Sequence, residues 1–162
     1  QETGVAHKEA APLEKQMALL LNKQKQASHI VLLLDKQKQL PTELYRMVDL
    51  WEKDHDKKVT ICFRNKKLKC HNNHNVVQPV WGALGIFSDL TQINKKITTD
   101  VIIVWAGMYT FTSYQMSDVK ILSHGLPPII IHCHSRYGEG CEPIPKALAM
   151  ATKGGYIVPA PR

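Results

Sequence analysis

Three short runs, Ile30–Leu34, Val101–Ala106 and Leu126–Ile131, are apolar at nearly every position and stand between segments of helical periodicity. A strand that is apolar on both sides of its pleat has to be covered on both faces, which is the condition of a parallel sheet between two layers of helices. The intervening segments supply those layers. Within Pro12–Gln26, Leu13, Met17, Leu20 and Leu21 fall at i, i+4, i+7 and i+8, on one face of a helix. Thr42 behind Pro41 is a suitable N-cap for a helix whose stripe is Leu44, Met47, Val48 and Trp51. Val80, Leu84 and Phe87 mark another helix after Pro79, weakened by Gly82 and Gly85. Met116, Val119 and Leu122 mark a further one, which Gly125 terminates and Pro127 stops. Pro145–Ala151 completes the set.

Val59–Phe63, Pro128–His132 and Tyr156–Val158 complete the strands, so strands and helices alternate along the chain. The alternation predicts an α/β fold, a flavodoxin-like or Rossmann-like three-layer sandwich with about five parallel strands. One domain is expected over residues 12–158, with the segments 1–11 and 159–162 loosely held at its ends. The chain of 162 residues is long enough to bury a core unaided. Its apolar runs fall well short of the ~20 residues that span a bilayer, so no membrane association is expected. It begins at Gln1 and not at Met, from which removal of an earlier segment is expected.

The enzyme signatures of such sheets are missing from the sequence. After the first strand, a nucleotide-binding domain carries glycines that let backbone approach a pyrophosphate. Here the segment reads Asp35-Lys36-Gln37-Lys38-Gln39-Leu40-Pro41, and Gly138-Glu139-Gly140 after the fourth strand reads as a turn. No catalysis and no cofactor are expected.

Four cysteines, Cys62, Cys70, Cys133 and Cys141, are compatible with short disulfide loops of a secreted protein, zinc ligands or reduced thiols. A domain of this size folds without disulfides, which points to reduced thiols. Two clusters contain metal-ligating types: Cys62, Cys70, His71 and His74, and then His132, Cys133, His134 and Cys141. Neither contains the CxxC knuckle that presents two thiolates to one ion. On a strand His132 and His134 share a face and Cys133 points to the other, so the three cannot meet one metal. His132 and His134 stand as weak metal candidates, and no metal is expected. Cys133 or Cys141 could pair with a histidine as a nucleophile, but nothing in the sequence nominates the orienting third group.

Charge is better organised. Lys and Arg number 21 against 14 Asp and Glu, a formal charge of +7, which favours a polyanionic partner through release of its counterions. Lys57, Lys58, Arg64, Lys66, Lys67 and Lys69 fall in one stretch without an acid, and Lys36 and Lys38 follow the neighbouring first strand. Two basic loops at one end of a sheet form a phosphate-backbone surface, with Lys36, Lys38, Arg64, Lys66, Lys67 and Lys69 as its contacts. Arg136 is a further RNA-contact candidate, flanked by Gly138 and Gly140, which let a backbone approach closely. Asn65, Asn72, Asn73 and Asn75 add neutral donors and acceptors. Trp81 is expected in the core.

The order of short motifs resembles the bacterial-type small-subunit ribosomal protein S-two family. That family opens with a helix and a strand ending in a Gly-Thr-Lys-Lys-Gln-like turn, to which Leu13–Gln26, His29–Leu34 and Asp35-Lys36-Gln37-Lys38-Gln39 are similar. Pro79-Val80-Trp81-Gly82-Ala83-Leu84-Gly85 resembles its tryptophan segment, and Thr99-Asp100-Val101-Ile102-Ile103-Val104 its Pro-Asp-hydrophobic strand. His124-Gly125-Leu126-Pro127-Pro128-Ile129 and Glu142-Pro143-Ile144-Pro145 resemble its Leu-Gly-Ile-Pro and Tyr-Pro-Ile-Pro motifs. The family's Asp-Thr-Asn-Cys-Asp loop is replaced by Cys133-His134-Ser135-Arg136-Tyr137, and its helical-hairpin insertion has no counterpart. The resemblance implies a structural protein of a small ribosomal subunit, holding rRNA and neighbouring ribosomal proteins, without homo-oligomerisation. The drift and trimming imply an organellar ribosome, mitochondrial above all. The alternative is an α/β enzyme or a small-ligand or metal-binding domain that uses the strand-end crevice.

Overall fold

The structure, a computed structural model, describes residues 13–24, 27–53, 55–72, 75–80 (backbone only), 85–107, 109–134 and 141–157. In chain order the elements are α1 (Leu13–Asn22), β1 (His29–Asp35), α2 (Thr42–Lys53), β2 (Lys58–Arg64), β3 (Leu68–Asn72), β4 (Asn75–Val80), α3 (Ile86–Lys96), β5 (Val101–Gly107), α4 (Met116–Leu122), β6 (Ile129–His134), α5 (Ile144–Ala151) and β7 (Gly155–Ile157). Among the described residues no helix is long and apolar enough to cross a membrane.

The seven strands form one sheet in the order β4-β3-β2-β1-β5-β6-β7. Five of them, β2-β1-β5-β6-β7, are mutually parallel, whereas β3 runs antiparallel to both β2 and β4. The chain moves outward from β1 to β2 and later returns to the other side of β1 at β5. The carboxyl ends of β1 and β5 therefore flank a topological switch point, where α/β sheets open a crevice.

The apolar positions of β1 serve both faces of the sheet. Val31 and Leu33 of β1 pack on one face with Ile86, Leu90 and Ile93 of α3, Val119 of α4 and Leu148 of α5. Ile30, Leu32 and Leu34 pack on the opposite face with Met17 and Leu21 of α1 and Leu44, Met47, Val48 and Trp51 of α2. Two cores on opposite faces of one mostly parallel sheet are what the uninterrupted apolar runs require. Gly125, at φ 79 beyond the end of α4, occupies the left-handed region that stops the helix.

The structure departs from the sequence reading in three places. The stretch after Arg64 is a hairpin and not a basic loop, because Leu68 and Cys70 point into the core between the outward-facing Lys69 and His71. Val80 belongs to strand β4, and the helix expected from Pro79 begins at Ile86. The cysteines are not reduced. Cys62 and Cys70 are bonded, and so are Cys133 and Cys141. A domain of this size needs no disulfide to fold, whereas pairing follows from placement. The hairpin makes Cys62 and Cys70 register partners, and Cys133 and Cys141 lie 5.5 Å apart at their Cα atoms, within disulfide reach. The segments 1–11 and 159–162, the candidates His74, Trp81 and Arg136, and the Gly138-Glu139-Gly140 turn lie outside the described residues.

Candidate functional site

Asp35 ends β1 and Arg64 ends β2, and the two are register partners. Arg64 Nη1 donates to Asp35 Oδ1 at 2.9 Å. Its Nε is ion-paired with Asp89 of α3, and Thr110, beyond β5, donates its hydroxyl to Asp35 Oδ2. The side chains of Asp35 and Asp89 are each 2% exposed and that of Arg64 16%. Burial pushes the Asp89 carboxyl up to about 6 despite the facing guanidinium. Burial also works against the Arg64 charge, but Asp35 and Asp89 outweigh it and hold its pKa above the ordinary value. This network joins the carboxyl ends of β1 and β2 to α3 and to the segment beyond β5. Arg64, an expected phosphate contact, lines the same groove as the lysines but has its guanidinium engaged with two carboxylates.

The predicted lysines gather beside this network. The loop after β1 and the turn after β2 are fastened together, Lys36 N–H donating to the Arg64 carbonyl at 2.8 Å and the Asn65 side-chain amide to the Gln37 carbonyl at 2.9 Å. Lys36, Lys38, Lys66, Lys67 and Lys69 are all exposed, and all five line one groove of about 1200 Å³. Lys57 and Lys58 lie at the other end of β2, where Lys57 donates to the Ala27 carbonyl.

The groove exists because the sheet outreaches its cover. On its face of the sheet the described helices are α1 and α2, and Val59, Ile61 and Phe63 of β2 line the groove with His71 of β3. Phe63 and His71 meet edge to face, ring centroids 5.9 Å apart. Tyr45, Val48, Asp49 and Glu52 close the groove from α2, and Leu40 from the preceding loop. Sequence reasoning missed these residues and the Asp89–Thr110 contribution. The available signal was that Val59, Ile61 and Phe63 repeat at every second position, on one face of a strand.

His132 and His134 do share a face of β6, with Cys133 in the opposite core. Trp105 stacks on His132 at 4.1 Å, and the two imidazole centroids are 5.5 Å apart. Burial and the neighbouring His134 lower the His132 pKa to about 4, with Glu43 opposing. Among the described residues no group of three or more potential ligands is placed to hold a metal. Cys133 and Cys141, bonded to each other, are not nucleophiles. The pairing of Cys62 with Cys70 likewise removes both from the first metal cluster.

Comparison with protein-family models, with curated proteins and with solved structures finds no match to this chain.

Proposed function

We propose that this chain is a non-catalytic binding domain that holds RNA by its phosphates along the lysine-lined groove, on a flavodoxin-like three-layer frame. The observation that carries the reading is the convergence of Lys36, Lys38, Lys66, Lys67 and Lys69 from the loop after β1 and the β2–β3 hairpin, which hydrogen bonds fasten together. Five ammonium groups held at one rim neutralise several phosphates at once, the condition for salt-dependent backbone binding. The setting that the S-two resemblance implies is the small subunit of a mitochondrial ribosome, beside rRNA and neighbouring proteins. Sedimentation of the native protein from an organelle lysate, with and without RNase, tests it. Co-migration with a small subunit that RNase abolishes is the expected result, and migration as a free ~18 kDa species at low salt overturns the ribosomal setting.

The disulfides favour a second reading, a secreted binding domain, because stable disulfides belong to oxidising compartments. Thiol trapping by N-ethylmaleimide at lysis, followed by mass spectrometry, separates the two. Four protected cysteines support the secreted domain, and four alkylated cysteines remove it.

A further inference from the structure

The groove beside α2 offers three chemistries side by side. Its strand-side rim is basic, carrying Lys36, Lys38, Lys66, Lys67 and Lys69. Its floor is apolar and partly aromatic, with Val59, Ile61 and Phe63 below and Tyr45, 55% exposed, on the lip. Its α2 wall carries Asp49 and Glu52, with Asp49 also paired to Lys53 at 2.9 Å.

Each chemistry narrows the occupant. A ligand that is anionic throughout, such as an acidic peptide, gains from the lysines but meets like charge at Asp49 and Glu52, and a fatty acid uses the lysines and the floor but leaves the two carboxylates unmatched. A hydrocarbon gains from the floor alone. A nucleic-acid strand matches all three: phosphates on one edge, flat faces that stack on aromatic rings, and exocyclic amines that donate to carboxylates. In a duplex the faces are stacked and the amines paired, so only an unpaired strand can use the floor and the acidic wall. A volume of about 1200 Å³ also exceeds the ~300–1,000 Å³ typical of small-molecule pockets.

Resting on the phosphate-binding reading above, we infer that the groove takes an unpaired stretch of RNA. Its phosphates lie on the lysine rim, at least one base lies against Phe63 and Tyr45, and the amino edge of that base faces Asp49 and Glu52. The site then prefers cytosine, which carries an exocyclic amine, over uracil, which does not.

Fluorescence anisotropy on the disulfide-bonded protein tests this, with labelled single-stranded octamers of cytidine and of uridine, a blunt RNA duplex, and polyphosphate of matched charge as competitor. The cytidine octamer is expected to bind most tightly, about fivefold or more above the uridine octamer and further above the duplex. Tyr45→Ala should weaken single-strand binding about fivefold or more and leave polyphosphate binding unchanged. Its side chain is exposed, so loss of the fold does not confuse the result. Glu52→Ala should erase the cytidine preference. Equal binding of all the polyanions, with Tyr45→Ala silent, overturns the base-binding inference and leaves the phosphate reading standing. Failure of every polyanion to bind at low salt overturns both, as does tighter binding of an acidic amphipathic peptide than of any RNA.

Discussion

Arg64 and Asp35 stand opposite each other at the last register position of the parallel β1–β2 pair, joined by a 2.9 Å hydrogen bond. Strand pairing puts both at the carboxyl edge of the sheet, and Asp89 reaches the same guanidinium from α3. A basic residue that looks in sequence like its neighbours Lys66 and Lys67 therefore has a different task.

Replacing Arg64 with Leu should lower stability by about 3–5 kcal/mol, because it leaves two buried carboxylates without their counter-charge. Replacing Lys66 or Lys69, both exposed, should change stability by less than about 0.5 kcal/mol. Urea unfolding of the three variants checks the contrast, and equal effects would show that Arg64 is an ordinary surface cation.

The lysines should reveal themselves in salt dependence. Each of Lys36→Ala, Lys38→Ala and Lys66→Ala should weaken RNA binding similarly for all sequences and reduce the slope of log affinity against log salt by about one. An unchanged slope for all three would remove them from the phosphate-binding surface.

His132 gives stability a pH dependence of known sign. Its folded pKa is about 4 against an ordinary 6.5, so the unfolded chain binds more protons between those values. Stability from this group is fully present above pH 6.5 and is lost as pH falls towards 4, by about 3 kcal/mol. Asp89 runs the other way. Its folded pKa of about 6, against 3.8, makes its contribution full below 3.8 and lost as pH rises through 6. Urea midpoints from pH 4 to 7.5 should therefore fall more steeply on acidification in Asp89→Asn, and less steeply in His132→Leu, than in the parent protein.

Each disulfide closes a short loop, Cys62 to Cys70 and Cys133 to Cys141, with a sequence separation of 8 in both. Paired Cys→Ser variants should each lose about 2–3 kcal/mol, the chain-entropy value for loops of this length. Non-reducing peptide mapping must first recover the two bridged peptides. Recovery of any other pairing would contradict the β2–β3 register.

The central sheet was legible because strands such as Ile30–Leu34 and Val101–Trp105 are covered on both faces, and double burial leaves an unbroken apolar run. β3 was not legible for the opposite reason. Lys69 and His71 alternate with Leu68 and Cys70, and directly after a three-residue charged turn this looks like more loop. The gathering of Lys36 and Lys38 with Lys66 and Lys69 could be read, since adjacent parallel strands must bring their following loops together. The engagement of Arg64 with two carboxylates could not. It depends on Asp89 of α3, a helix that begins more than 20 residues later and reaches the site only through tertiary packing.

Cys62 and Cys70 lie in the core under α3, on the face of the sheet opposite to Ile61 and Phe63. The bridge is thus a rivet on the reverse side of the groove floor, touching nothing that enters the groove. Cutting it removes no contact with an occupant. It leaves the β2–β3 ladder alone to hold the floor in shape. A reducing environment would loosen the grip of this surface while every side chain on it stayed the same, because less of the ordering is done in advance.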